Sequence, residues 1–414
     1  MDHASQLPGR GFGALQGLRV LDLTAVLMGP FCTQILADHG AEVIKVEGPE
    51  GDTTRQLPVS RAPGLGAMFY NLNRGKRGIS LDLKQPEGRA ALLRLAESAD
   101  VFIHAMRADA IARLGLTYAD LAAVNPRLIY ANVYGFSRRG PYAKWPAYDD
   151  TIQAMSGMAA LQGRMNGAPA YSATLVADKV SGLTALYAVL MALLHRNRTG
   201  EGQEIEVGMF ETMVNFVLTD HINGALFDPP EGEPVYPRAA SPNRRPYRTK
   251  DGWIAALIYN DKHWRAFIEL AGRPDWARDP RFATLKDRAR HIDEVYTHLG
   301  RTLEQRTTTE WLADFAKAEI PATPVNETSA LLKDPHLEAV EFFTPQETPL
   351  GTVRYPGMPA WFSRTPGRIT GPAPALGQDG RAVLAEAGFS EVEIDALVAS
   401  GALVLPVTEE APAA

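Results

Sequence analysis

The chain has 414 residues, 45% of them apolar and 22% charged, with a formal net charge of −6. That length exceeds what one core usually fills, so two domains are expected, and the acidic balance argues against a general nucleic-acid binder. A single cysteine, Cys32, excludes an internal disulfide framework and a multi-cysteine metal site. Segment 1–17 lacks an apolar signal core, and no apolar run is read as approaching the length of a membrane span. A reducing compartment, most simply the cytoplasm, is the expectation.

Residues 18–24 (LRVLDLT) read as a short strand, 28–39 as a helix and 41–47 (AEVIKVE) as a second strand. Strand, helix and strand at this spacing make a βαβ unit and imply a parallel sheet. Glu47 ends the second strand, where a dinucleotide fold keeps its acidic residue. The turn after the first strand, Ala25-Val26-Leu27-Met28-Gly29-Pro30, has no G-x-G-x-x-G, so NAD binding is rejected. Residues 71–83 (NLNRGKRGISLDL) join a basic turn to another strand. Arg74, Lys76 and Arg77 there read as a solvated loop or as cations for a phosphorylated ligand. An amphipathic helix over 86–99, a strand over 100–104 and a strand through Val133 continue the pattern.

The longest apolar run, 180–194, reads as a buried helix. Leu183, Leu186, Tyr187, Leu190, Met191 and Leu194 recur at three- and four-residue steps as its inward face. Basic residues at 195–198 suit the helix end, Thr199 to Gly202 stop it, and a strand over 203–207 follows. Asp178, just ahead of the run, has two readings. One is an N-cap, whose carboxylate accepts from free backbone N–H groups. The other is a nucleophilic carboxylate held ionised at the helix start. Six prolines in 228–248 then mark a linker. A strand over 252–259 and helices within 262–271 and 293–319 make a small α+β domain, followed by a return segment over 334–362 and a helical part over 381–399. The nine histidines are scattered, and no His, Asp or Glu cluster stands at metal-ligand spacing.

Together these stretches resemble the class III CoA-transferase family of the CaiB/BaiF type, which includes formyl-CoA transferase and, as a branch, the α-methylacyl-CoA racemases. The matching residues are Gly17, Val20, Leu21 and Asp22 of the opening strand, the Gly29-Pro30 helix start, and the run Gly40-Ala41 through Glu47. Further along come Asp178 and Gly182, then His195-Arg196-x-x-Thr199-Gly200-x-Gly202-Gln203. The resemblance implies a Rossmann-like large α/β domain over 1–225, completed by a C-terminal return over 335–414. It also implies a linker over 226–245, a small α+β domain inserted at 246–334, and an interlocked homodimer. The activity it implies is transfer of CoA from an acyl-CoA donor to a small carboxylic acid acceptor. Asp178 is the implied nucleophile, passing through an aspartyl anhydride and an aspartyl-CoA thioester. CoA contacts are implied at Val26, Asn73, Lys76, Met106, Arg107, Arg113 and Tyr148. CoA is a substrate moiety here; no permanent cofactor, metal, nucleic acid or membrane is implied.

The departures narrow the chemistry. Gly48 stands where many relatives carry an Arg for the adenosine phosphate, so that contact is either weaker here or supplied by another residue. Met106 replaces a Phe at the adenine slot, where a thioether also packs well. The Gly-rich mobile loop of formyl-CoA transferase is absent, which argues against formate or oxalate as substrate. Racemases of the family carry a His before the first Asp of the segment Ala147-Tyr148-Asp149-Asp150; a tyrosine, with a reference pKa of about 10, is a poor proton shuttle at neutral pH. Transfer is therefore expected over an α-methylacyl-CoA racemase or epimerase. The intact Asp178 motif weighs against a non-catalytic CoA-binding paralogue.

Overall fold

Six parallel strands lie at the centre of the computed structural model, which describes residues 12–406. They are β1 (Arg19–Leu23), β2 (Glu42–Glu47), β3 (Arg77–Leu81), β4 (Val101–His104), β5 (Ile129–Tyr134) and β6 (Gln203–Gly208), in spatial order β3-β2-β1-β4-β5-β6. The chain then supplies β7 (Tyr247–Arg248), β8 (Trp253–Ala256), β9 (Ala322–Pro324), β10 (Phe343–Thr348), β11 (Gly351–Pro356) and β12 (Leu403–Val404). The last of these pairs antiparallel with β3 as the seventh strand of the main sheet. β4 and β5 are buried at every position, as strands covered on both faces require. The expected βαβ unit and parallel sheet are both present. Strand order reverses between β1 and β4, which opens a crevice beyond their carboxyl ends.

By internal contacts the chain divides into two units. The first takes in the described parts of Met1–Ile152, Thr174–Met213 and Glu338–Ala414, and the second holds Gln153–Ala173 and Val214–Leu337. Residues 226–245, expected as a linker, lie inside the second unit. They are tied to it by Asn223 Nδ2 donating to Val235 O at 2.8 Å and Tyr236 N–H donating to His221 Nδ1 at 3.1 Å. That unit carries the three-stranded antiparallel sheet β7-β8-β9. Its core is aromatic: Trp264, Phe267, Trp276, Phe282, Trp311 and Phe315 are all buried.

In the first unit the helix Met28–Asp38 packs against the long helix Val176–Thr199. The face that makes this contact is built from small residues. Ser181, Gly182, Ala185 and Ala192 are buried, and a Cβ at Gly182 would stand 2.6 Å from the Met28 carbonyl oxygen. This corrects the expected inward face. Leu183, Tyr187, Met191 and Leu194 point outward, at 46%, 51%, 63% and 63% exposure. A second correction concerns length. At 24 residues this helix is long and apolar enough to cross a membrane by composition, although no such run was expected. Its packing on the helix Met28–Asp38, and its contacts with β5 and β6, make it a core element of the unit.

Candidate active site

Asp178 is the third residue of the long helix, whose N-cap position belongs to Leu175. The capping reading of Asp178 is therefore corrected: its side chain stands inside the first turn, and no side chain bonds from the cap position. Instead its own backbone N–H donates to Asp149 Oδ1 at 3.0 Å. Asp149 opens the helix Asp149–Met155 and is buried. So a carboxylate from a neighbouring helix satisfies a donor that the first turn leaves free. Burial, and then the nearby charge of Asp149, pushes the Asp178 carboxyl up from its ordinary 3.8 to about 6.

A cavity of about 310 Å3 opens in front of Asp178, at the crevice where the strand order reverses. Ala25 and Val26 line it from the end of β1, Ala105 and Arg107 from the end of β4, and Gly135 and Phe136 from the end of β5. Arg138, Trp145 and Tyr148 close one side, and Tyr148 is 72% exposed. The structure thus brings four of the expected residues, Val26, Arg107, Tyr148 and Asp178, to one cavity.

Val26 adopts φ 68°, a conformation that a β-branched residue rarely takes and that costs about 1–3 kcal/mol. Its N–H donates to Asp52 Oδ2 at 3.1 Å, and Lys45 Nζ reaches the same carboxylate at 3.2 Å and Thr24 O at 2.9 Å. Asp52 was not among the expected site residues. Its sequence signal was local, since an Asp two places before Thr54 caps the short turn that follows.

The basic turn does not reach the cavity. Lys76 is buried, with Nζ donating to Asp22 Oδ2 at 3.0 Å, Thr33 Oγ1 at 2.8 Å and Asn73 Oδ1 at 2.9 Å. Burial pulls its ammonium down to about 8 against the attraction of Asp22. Burial also opposes the charge on Asp22, but Lys76 and Lys45 outweigh it and hold that carboxyl well below its usual range. Lys76 and Asn73 are therefore core residues here, which corrects their expected CoA contacts: the ammonium already has a full set of acceptors, and Asn73 is fully buried. Arg74 pairs with Asp38, and Arg77 with Glu42 and Glu386.

Met106 packs partly against the main core, and its N–H donates to His104 Nδ1. Arg113 is exposed in the last turn of the helix Ala108–Arg113. Neither lines the cavity. Arg138, which sequence reading missed, does line it, and its charge is shared with Glu206 at 2.6 Å and Glu204 at 2.7 Å. Glu47 forms a bidentate pair with Arg55, at 2.9 and 2.6 Å, and is not free to hold a ribose.

A carboxylate at a helix start, raised toward neutrality beside an open crevice, is suited to nucleophilic or proton-transfer work. Residues 15–380 match the family described as CoA-transferase family III. The chain belongs to that family. It is 37% identical over 384 residues to succinate–glutarate CoA-transferase of Agrobacterium fabrum, a match covering 90% of this chain and 95% of that protein. With formyl-CoA:oxalate CoA-transferase of Escherichia coli it shares 33% identity over 411 residues, covering 92% and 98%. Among solved structures, a CaiB/BaiF family protein from Brucella suis superposes with a TM-score of 0.76 at 32% identity, over 91% of this chain and 100% of that one. A Mycobacterium tuberculosis protein gives 0.78 at 31%, over 90% and 99%. This CoA-transferase therefore has the mixed α/β architecture of the CaiB/BaiF structures, and its chemistry is transfer of CoA between acids.

Proposed function

We propose that this transferase carries CoA from an acyl-CoA donor to a small carboxylic acid through covalent intermediates on Asp178. The observation that carries the reading is the position of that carboxylate: first turn of a helix, facing the crevice beyond β1 and β4. One Asp178 oxygen attacks the thioester carbonyl carbon, the C–S bond breaks, and CoA leaves as thiolate with a mixed anhydride formed. The thiolate then attacks the aspartyl carbonyl carbon, and the donor acid departs as its carboxylate, leaving an aspartyl-CoA thioester. The acceptor carboxylate attacks that thioester and expels the thiolate once more, giving a second anhydride. Attack of the thiolate on the acceptor's acyl carbon releases acyl-CoA and restores the Asp178 carboxylate. The positive end of the helix dipole favours each oxyanion formed at Asp178. Two exposed cations line the cavity wall, and Arg107, which unlike Arg138 forms no ion pair among the described residues, is the one suited to a CoA phosphate; it offsets the absence of an Arg at Gly48.

The working unit in this reading is a homodimer, located in the cytoplasm, with the small α+β domain inserted in the large one. The outward row of Leu183, Tyr187, Met191 and Leu194 supports the dimer, because so large an apolar stripe on a helix calls for cover. The names of both relatives contain dicarboxylic acids, so succinate and glutarate head the acceptor panel, with oxalate as the acid that the absent Gly-rich loop disfavours. Incubation with an acyl-CoA, quenching and mass spectrometry of the Asp178 peptide tests the mechanism. A CoA adduct on Asp178 is expected, and turnover with no adduct at that residue would remove the covalent step.

A further inference from the structure

The second unit holds a cavity of about 400 Å3 whose lining includes Arg238, Lys286 and Arg288 and no Asp or Glu. Lys286 and Arg288 come from one short helix, Leu285–Arg290, and folding brings Arg238 to them from about fifty residues away. Arg288 is buried; Nη1 donates to Phe282 O at 2.8 Å, Nη2 pairs with Asp261, and Nε is left buried without a partner. Arg238 lies 5.3 Å from the Tyr259 ring centre, with Tyr236 and Tyr296 also in the wall. Arg238 donates hydrogen bonds to the hydroxyls of Tyr236 and Tyr296, Lys286 is exposed, and among the described residues neither forms an ion pair.

Because Arg238 already bonds two tyrosines and Lys286 is exposed, the group that lacks an acceptor is the buried Arg288 Nε, and a wall with three cations and no acid favours a guest that brings negative oxygens. The rest of the lining, Ile258, Trp264, Leu285, Ala289, Ile292 and Val295 with the tyrosines, is apolar or aromatic. We propose that this cavity binds a small organic carboxylate, its oxygens held by Arg238 and Lys286 and its apolar body seated against Tyr236, Tyr259 and Tyr296. The volume suits an organic acid of modest size, and a lone inorganic anion would leave the aromatic wall uncovered. The site is lined only by residues of the second unit and does not depend on the role given to Asp178.

Equilibrium dialysis of the full chain with labelled phenylacetate, and separately with inorganic phosphate, tests this. We expect saturable phenylacetate binding that weakens about tenfold or more in Arg238→Gln and in the surface variant Lys286→Gln. Arg238→Lys should recover part of the affinity, and Arg107→Ala, at the Asp178 cavity, should bind as the unaltered protein does. Should Arg238→Gln fail to fold, Lys286→Gln and Arg238→Lys carry the test. Absence of saturable binding, binding insensitive to both cation losses, or loss only in Arg107→Ala would overturn the proposal. Phosphate binding as tightly as phenylacetate would overturn the carboxylate assignment.

Discussion

The backbone N–H of Asp178 donates to the carboxylate of Asp149 at 3.0 Å, so one acid anchors the helix turn that presents the other. The same contact places two negative charges close together, and Asp178 loses its proton only near pH 6. The acid limb of the transfer rate should follow that ionisation, rising as pH passes through about 6. In Asp149→Asn the amide oxygen can still accept the N–H, but the charge is gone. The limb should move to lower pH, and only part of the way, since burial is the larger cause of the shift. A pH profile of kcat that is identical in the two proteins would show that Asp178 ionisation does not govern the rate.

Asp178→Asn should lower turnover by about 10^3-fold or more, in line with removal of a covalent nucleophile. Stability should move the other way. The folded state holds the Asp178 proton more tightly than the unfolded chain, so stability falls as pH rises from about 4 to 6, through the window between the two pKa values. Removing the acid relieves that cost, and Tm at pH 7 should rise, by a stability gain on the order of 1 kcal/mol after allowance for solvent screening. Calorimetry at pH 4 and pH 7 checks the sign: the gain should be present at 7 and small at 4.

Lys76 and Arg107 should separate cleanly. Lys76→Met strands the buried Asp22 carboxylate and is expected to cost about 3–5 kcal/mol in denaturant unfolding. Arg107→Ala should leave unfolding unchanged, raise KM for acyl-CoA several-fold and flatten its dependence on salt, with kcat near normal. If Lys76→Met instead folds normally and loses only CoA affinity, the buried pairing is not its principal role.

Gly182→Ala tests the contact between the two helices. Its added methyl would meet the Met28 carbonyl oxygen at 2.6 Å, and neither backbone can yield locally. A loss of about 1–3 kcal/mol is expected from the forced separation. Because Met28 and Asp178 both line the cavity, turnover should fall as well. A crystal structure of the variant with an unchanged helix spacing would contradict this account.

The βαβ opening was legible because strand and helix periods are local, and 18–24 and 28–39 became β1 and the helix Met28–Asp38 within a residue or two. The inverted face of the long helix was not. Periodicity groups Leu183, Tyr187, Met191 and Leu194 on one side without saying which side faces the core, and here Gly182 and its small neighbours win because they permit close approach. Lys76 was misread for a related reason. An ammonium in a basic turn looks the same whether it meets a phosphate or, as here, a carboxylate 54 residues away in the core. Asp178 was found through family resemblance, whereas Asp149 and Arg138 depend on contacts across 29 and 68 residues, which no local pattern encodes.

Asp22, Lys45, Asp52 and Lys76 sit two against two in charge, and every one of these side chains is at most 1% exposed. Any single replacement that deletes a charge leaves an odd one sealed in the core, whereas replacing a matched acid and base together by apolar residues can be nearly neutral. Loss of charge at these positions is therefore expected to be tolerated only in paired steps, with a destabilised intermediate between them. A variant library randomised one site at a time should find every charge-deleting replacement at the four positions strongly destabilised, and the same library randomised at Asp22 with Lys76 should recover chains of near-normal stability that no single-site search can reach.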